Sequence, residues 1–585
     1  MDDKSEQTRI ENIIEPVETA NTDPLPAKKD VPLVVQQAHE NSFHVHLGWR
    51  SWFIIFLTCF CLMAQVFVVT AAGQVLAFIV RDLGEAEVSG WIIQGPLLMQ
   101  SILSPTVGRL SDVLDRKYMS AIPPLFAFAG AVISAKAQNM SMLIGGSILI
   151  GLTLSTAPII HAIQAEVLPL KFRAMANFFS FIGASVGSIA GGLGAGALTS
   201  KSADGWRGIF WIQAGLHAVT ALGFLLFYWP DAHPDYPKMS LKQLMWKCDP
   251  IGSFLFIGGS ATLLLAFDWA GGTYHWSDPH VAAPLGIGCA LVVCFTLYEW
   301  KGRSDGLVSH VFFQSGPNFP VGVLGFTVEG WIFYSAVNSV VPQQILHLGF
   351  EQDAWGISIR QLAYTFPSLA TSLVISAWAT KKKDLTRPLF FTFGLFLVGV
   401  ICYATLNPSH NKAQIVYSVI VGMGQAGPLT LLVPLVQFTA PHAFLSTASG
   451  LAYSGRAMGG AFGSAVINAI VNNHLNKNLA RTVGSVATKA GLPQSSVGKL
   501  LAAMAAGKLA EEVPGINEEI LSAANRASQN VYAKAYSLGW WSIFPFVVIC
   551  MVGLCFLRGV REMMTEKVEA TVEKVKKEEK GHEMA

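Results

Sequence analysis

The sequence predicts an all-α membrane protein with fourteen transmembrane spans. Only 13% of the 585 residues are charged and 52% are apolar, whereas a soluble protein carries about 25% charged residues. The apolar residues gather into runs near the roughly 20 residues that a spanning helix needs. Glycine-rich runs repeat at a fixed offset, which orders the spans into two similar halves.

The first 50 residues are acidic and polar, and lack the basic start and short apolar core of a cleaved leader. They are expected to form a disordered cytoplasmic tail. Residues 51–230 are expected to be an N-terminal six-helix bundle, with spans near 52–74, 88–107, 118–137, 142–166, 175–198 and 208–229. Residues 231–318 read as a linker carrying two inserted spans, 251–271 and 281–300. Residues 319–560 read as a C-terminal six-helix bundle, with spans near 319–340, 354–379, 388–406, 413–438, 446–471 and 539–557. Its long extracellular loop, 472–538, has Leu/Ala-rich runs that suggest short surface helices. Residues 561–585, dense in Glu and Lys, are expected to be a cytoplasmic tail.

Orientation follows from basic residues in short loops. With a cytoplasmic N-terminus, the inner loops hold fourteen Lys and Arg and the outer loops five. Both termini are therefore expected in the cytoplasm. Lys plus Arg, at 40, nearly balances Asp plus Glu, at 38, so no basic surplus suggests a nucleic-acid partner. Seven of the eight Cys lie inside apolar runs, which argues against a disulfide framework or a zinc site. No G-x-x-x-x-G-K-[ST] loop is present, so ATP is not the expected energy source. Isolated Ser, His and Asp are scattered without a reason to converge, and no enzyme is expected.

The fifth span reads Gly183-x-x-x-Gly187-x-x-x-Gly191 and the thirteenth Gly455-x-x-x-Gly459-x-x-x-Gly463, each glycine 272 residues from its counterpart. The same offset pairs Pro169 with Pro441 and Asp112 with Asp384. Glycines four apart line one helix face and let a neighbour approach closely. The two copies argue for duplicated six-helix bundles, with spans one to six matching nine to fourteen and Glu329 matching Leu57. Parallel repeats of six spans are the architecture of major facilitator transporters, which hold substrate near the midplane between halves.

Individual motifs carry the same resemblance. Gly108-Arg109-Leu110-Ser111-Asp112-Val113-Leu114-Asp115-Arg116-Lys117 resembles the family's signature loop G-x-L-x-D-R-x-G-R-[RK], with Asp115 in place of the second Gly. The resemblance implies a cytoplasmic gate in which Asp112 receives a neighbouring helix and pairs with Arg109 or Arg116. Gly183-Ala-Ser-Val-Gly187-Ser188-Ile-Ala-Gly191-Gly192 resembles the antiporter motif G-x-x-x-G-P-x-x-G-G, with Ser188 replacing Pro. In the fourth span Ser147 and Ile150 replace the Arg and Gln of the family pattern. Trp206-Arg-Gly-Ile-Phe-Trp211, Asp249-Pro-Ile-Gly252, Gly271-Gly-Thr-Tyr-His-Trp276 and Phe295-Thr-Leu-Tyr-Glu299 look like the fourteen-span drug:proton antiporters. Gly427-Pro428, Gln437-Phe-Thr-Ala-Pro441-His442 and Ser454-Gly-Arg456-Ala-Met-Gly459-Gly460 are close to the fungal trichothecene-efflux-pump family. These matches imply the major facilitator fold and export by proton exchange.

An ionisable side chain at mid-span costs about 2.5–3.5 kcal/mol on insertion scales, so each needs a partner, water or a function. Glu329, near the centre of the ninth span, is the clearest and is the candidate proton carrier. His161 is the second candidate, with Gln164, Tyr334, Asn338, Gln425 and Arg456 as polar cavity or coupling residues. Glu166, Asp268 and Glu299 lie near helix ends and are expected at the interface. The expected function is proton-coupled export of a small amphipathic toxin, drug or secondary metabolite by a monomer without cofactor or metal. The expected partners are the substrate, protons and the lipid bilayer. A fungal plasma membrane is the expected location, with vacuolar or vesicle membranes as alternatives. A siderophore-iron or other importer of the same fold, and a non-transporting sensor, remain open at this point.

Overall fold

The protein is seen in a computed structural model that describes residues 47–568 except 86–87, 90, 115, 200–203, 231–239, 271–273, 352–353 and 506–512. Residues 1–46 of the expected N-terminal tail, 569–585 of the expected C-terminal tail, Asp115 and Gly271-Gly-Thr therefore lie outside the described residues. The helices are α1 (Trp49–Leu83), α2 (Trp91–Val113), α3 (Arg116–Ala135), α4 (Met140–Leu154), α5 (Ala157–Val167), α6 (Arg173–Thr199) and α7 (Gly205–Phe227). Next come α8 (Leu241–Lys247), α9 (Pro250–Ala270), α10 (Pro279–Leu297), α11 (Asn318–Gly330), α12 (Val341–His347) and α13 (Ala354–Lys382). The remainder are α14 (Thr386–Ala404), α15 (Asn411–Gln437), α16 (Leu445–Lys489), α17 (Val497–Ala505), α18 (Glu518–Leu554) and α19 (Val560–Met563).

Among the described residues, twelve helices are long and apolar enough to cross a membrane. The expected second and thirteenth spans fall in α2 and α16, which are helical but are not among the twelve. Their low apolarity has a packing cause. The two helices lie against each other, and Gly450 faces the Ser104 carbonyl while the Ser454 hydroxyl donates to the Ser101 carbonyl at 2.5 Å. Small and polar residues there serve a helix–helix contact that greasy side chains would prevent.

The fourth span is two helices. Ser155 and Thr156 break it, and Pro158 opens α5 at a position where its missing N–H costs nothing. The ninth span runs continuously from Asn318 to His347, but its centre, Trp331–Val340, is a π-helix. The 472–538 stretch is mostly helix rather than a loop with short surface helices. In it α16 runs on to Lys489 and α18 starts at Glu518, and with α17 they bury Val483, Leu492, Leu500 and Ile520 in a core of their own.

The glycine triplets set the helix packing. A side chain at Gly183, Gly187 or Gly191 would strike the backbone carbonyls of Cys59, Met63 and Phe67, so α6 lies directly on α1. Gly192 points elsewhere, with only a Thr70 methyl at 3.9 Å. In the other half, Gly455 faces Val323 and Thr327, Gly459 the Thr327 backbone, and Gly463 the Trp331 ring, so α16 lies on the ninth span. The faced residues Cys59, Met63 and Phe67 correspond to Val323, Thr327 and Trp331, an offset of 264 residues. The offset of 272 therefore does not hold in the first and ninth spans. Packing places Glu329 opposite Gln65, not Leu57. Pro169 and Pro441 do correspond, each preceding a one-turn 3-10 helix before α6 and α16.

Candidate transport cavity and latch

A cavity of about 1360 Å³ lies between the helices of the two halves. Gln65 of α1, His161 of α5, Asn177 of α6, Tyr364 of α13 and Arg456 of α16 are on its wall. It reaches Gly73, Trp91, Gln343 and Arg360, at the end of the molecule away from Asp112. Tyr334 and Asn338 line it too. Glu329, Gln164 and Gln425 do not line it; they sit behind the wall.

Glu329 is fully buried in the last turn of α11. The π-helix begins two residues later, beside Gly330, where a side chain would strike the Arg456 backbone. Arg456 reaches Glu329 by two bonds, Nε to Oε2 at 2.5 Å and Nη2 to Oε1 at 2.9 Å. The Gln425 amide donates to the same carboxyl. Arg456 Nη1 donates to the Tyr334 hydroxyl at 3.1 Å, and its guanidinium lies 4.9–5.1 Å from the Phe326, Phe333 and Tyr334 rings. The forked pair and its ring cage satisfy a cation in a place where water is scarce. Asn338 shares the cavity with this cluster but not its bonds.

His161 belongs to a second network that ties the halves together. Its Nδ1 lies 2.6 Å from Asn177 Oδ1 and its Nε2 lies 2.6 Å from the Tyr453 hydroxyl. Asn177 Nδ2 donates to the Thr430 carbonyl, which leaves Oδ1 to accept from His161. A neutral His161 then carries its proton on Nδ1 and accepts from Tyr453 on Nε2. Gln164 instead stays within the first half, donating to Thr58 at 2.7 Å and accepting from Ser180. Tyr453 escapes sequence reasoning because a lone Tyr in a membrane helix is ordinary core.

At the opposite end, Asp112 forms a latch with the start of α16. It accepts from the Ser446 and Thr447 N–H groups at 3.0 and 2.8 Å, from the Thr447 hydroxyl at 2.7 Å, and from Arg116 at 3.0 Å. The first N–H groups of a helix have no partner within it and favour an anion. Gly108 is required because a side chain would meet the Ser446 carbonyl at 2.5 Å. Arg109 does not pair with Asp112. It donates to the carbonyls of Lys247, Asp305 and Ala443 and stacks 4.2 Å from the Phe444 ring. Arg116 also pairs with Glu166, and His442 Nε2 lies 2.5 Å from Glu166. Glu166 is thus a buried part of this cluster. Lys117 lies over the Trp229 ring. Asp384, the repeat partner of Asp112, caps its own next helix through the Thr386 N–H at 2.9 Å and pairs with Arg387 at 3.4 Å.

The two halves thus meet at the Asp112 end and leave a cavity between them beyond it. The Major Facilitator Superfamily profile matches residues 52–464. The chain belongs to the major facilitator superfamily. It is similar to the MFS-type transporter prx5 of Penicillium rubens, 26% identical over 76% of this chain and 81% of that protein. It is also similar to the trichothecene efflux pump TRI12 of Fusarium sporotrichioides, 22% identical over 86% of each chain. The solved proton:xylose symporter XylE shares the fold, with a TM-score of 0.55 and 12% identity over 90% of this chain and 99% of that one. The chain is thus a multi-pass membrane protein of a transporter family, with an all-helical fold.

Proposed function

We propose that this protein exports a small amphipathic organic compound from the cytoplasm in exchange for protons. The observation that carries the reading is the cavity, closed at the Asp112 end and bordered by the Glu329–Arg456 pair. The excess of basic residues in the loops on the Asp112 side supports a cytoplasmic latch and cytoplasmic termini, which makes this conformation outward-facing. The same reading takes α2 and α16 as spans, for fourteen in all, in a fungal plasma membrane. Relatives named as efflux pumps support the outward direction.

The wall combines aromatic and apolar surface with scattered amides and hydroxyls. Such a lining suits a largely neutral metabolite and not a sugar, which needs many paired hydroxyl contacts. Comparing metabolites retained by a deletion strain with those of its parent identifies the cargo. Inside-out vesicles, acidified within, should then accumulate that compound. Accumulation only with the opposite gradient would make the protein an importer, and no flux in either direction would remove the transport reading.

A further inference from the structure

Two acids outside the cavity meet where the inserted helices approach the latch. Asp249 has a left-handed backbone, φ 53°, which Asp tolerates better than most residues. It closes α8 and caps α9, accepting from the Gly252 N–H at 3.1 Å. Glu299 sits in a π-helical turn, Tyr298–Gly302, after α10, and is buried. The two carboxyls share one small space. Asp249 Oδ2 and Glu299 Oε2 lie 2.8 and 2.5 Å from where a Gly306 side chain would begin, and Glu299 Oε1 lies 2.9 Å from it. Gly252 closes the other wall, 2.5 Å from Glu299 Oε1 by the same measure.

Among the described residues no N–H or O–H donates to Glu299 Oε1. The other oxygens are committed. Asp249 accepts from Tyr298 at 3.2 Å, Arg303 at 3.5 Å and the Leu307 N–H at 3.1 Å, and Glu299 Oε2 accepts from the Val308 N–H at 3.0 Å. A buried carboxyl oxygen facing a second carboxyl is satisfied by a proton held between them.

The bonds to Leu307 and Val308 fasten the loop whose Asp305 carbonyl accepts from Arg109, and Asp249 lies two residues beyond Lys247, the other acceptor. Facing the pair are Arg109 from α2, Lys247 and Cys248 from the end of α8, Tyr298 from the π-helical turn, and Arg303, Asp305 and His310 from the loop. Partial burial raises the Asp305 carboxyl, but bonds from Lys247 and Arg303 outweigh it and hold it below its ordinary value. Asp305 therefore already draws on the positive charge of Lys247 and Arg303, which leaves less of it for a second full charge on the acid pair.

We propose that Asp249 and Glu299 share one proton and are positioning residues for Arg109, so that the inserted helices brace the latch in a pH-dependent way. This rests on the reading of Asp112 as the latch. Loss of the shared proton sets two carboxylates against each other, frees the 303–309 loop and withdraws the carbonyls that hold Arg109. The step is a proton leaving to solvent at high pH, with no bond exchange elsewhere.

The test is labelling of full-length purified protein carrying Ser446→Cys by an impermeant maleimide, above the background of the parent lacking that change. Ser446 is fully buried and only its main-chain N–H serves the latch. Raising pH should speed labelling by about fivefold beyond the intrinsic thiol effect, which is measured on Cys in a peptide; this is the low end of coupling between sites. Glu299→Gln, an isostere that donates an amide N–H in place of the proton, should stay slow at every pH. Glu299→Ala and Asp112→Asn should both be fast at every pH. A flat wild-type profile, a rise that survives Glu299→Gln, or a slow Glu299→Ala overturns the brace. If Asp112→Asn is also slow, the latch reading falls and the brace with it; if only the Glu299 variants fail, the latch stands.

Discussion

Glu329 accepts from Arg456 twice and from Gln425 once, deep behind the cavity wall. Glu329→Gln removes the counter-charge of a buried guanidinium, and breaking such a pair costs about 3–5 kcal/mol. The variant should lose pH-driven efflux and also unfold at lower temperature. Glu329→Gln with Arg456→Gln should regain thermal stability without regaining coupled efflux, because the buried charge is gone but the proposed proton carrier is still missing. Thermal unfolding of the purified proteins and vesicle flux read the two effects separately. If Glu329→Gln vesicles still accumulate substrate in response to a pH gradient, coupling resides elsewhere. Both residues are legible in the sequence because an ionisable group in an apolar run is costly. Their pairing is not, since 127 residues separate them and the repeat offset pointed to the wrong counterpart.

One element, the α1–α6 contact, shows how far a pattern of glycines reaches. Glycines at steps of four announce a close helix contact, and the structure supplies the partner: the carbonyls of Cys59, Met63 and Phe67. Contact at backbone leaves no flexible side chain to move aside. Gly187→Ala should therefore already impair folding or transport, and not only the bulkier Gly187→Leu. Gly192→Ala, one position past the ladder and with 3.9 Å to its nearest neighbour, should be close to neutral. Expression level, monodispersity and flux of the three variants check this; equal tolerance of alanine at both positions would refute the contact. Gly459→Leu should fail for the same reason against Thr327. The one-to-nine register was illegible because the repeat drifted by eight residues between a loop-proximal landmark and the helix it packs on. The polar character of α2 and α16 is likewise a consequence of packing, visible only once each helix has its neighbour.

For the whole molecule, the bonds across the Asp112 end oppose opening toward that side. The Asp112 latch, the His161–Tyr453 bridge and the Arg173 bond to the Gln437 carbonyl all join the first half to the second. The chain beyond α19 adds a strap, with the Leu170 and Lys171 N–H groups each donating at 2.9 Å to the Lys567 and Thr565 carbonyls. Transport requires all of these to break together, so each must be worth little enough to reverse. Asp112 supplies charge to three donors of α16, and a hydrogen bond to a charged group contributes about 1.5–3 kcal/mol. Asp112→Asn retains the shape and one acceptor but loses that charge, which shifts the closed-to-open balance roughly 10- to 100-fold. The variant should insert at normal levels, favour the state open at the Asp112 end, and transport poorly because return to the closed state becomes the slow step. Arg116→Gln should do less, since Ser446 and Thr447 still hold the carboxylate. Flux in vesicles, together with cysteine accessibility on both sides of the cavity, measures this order. Wild-type flux and unchanged accessibility in Asp112→Asn would show that closure depends on the bridge and strap rather than on the latch.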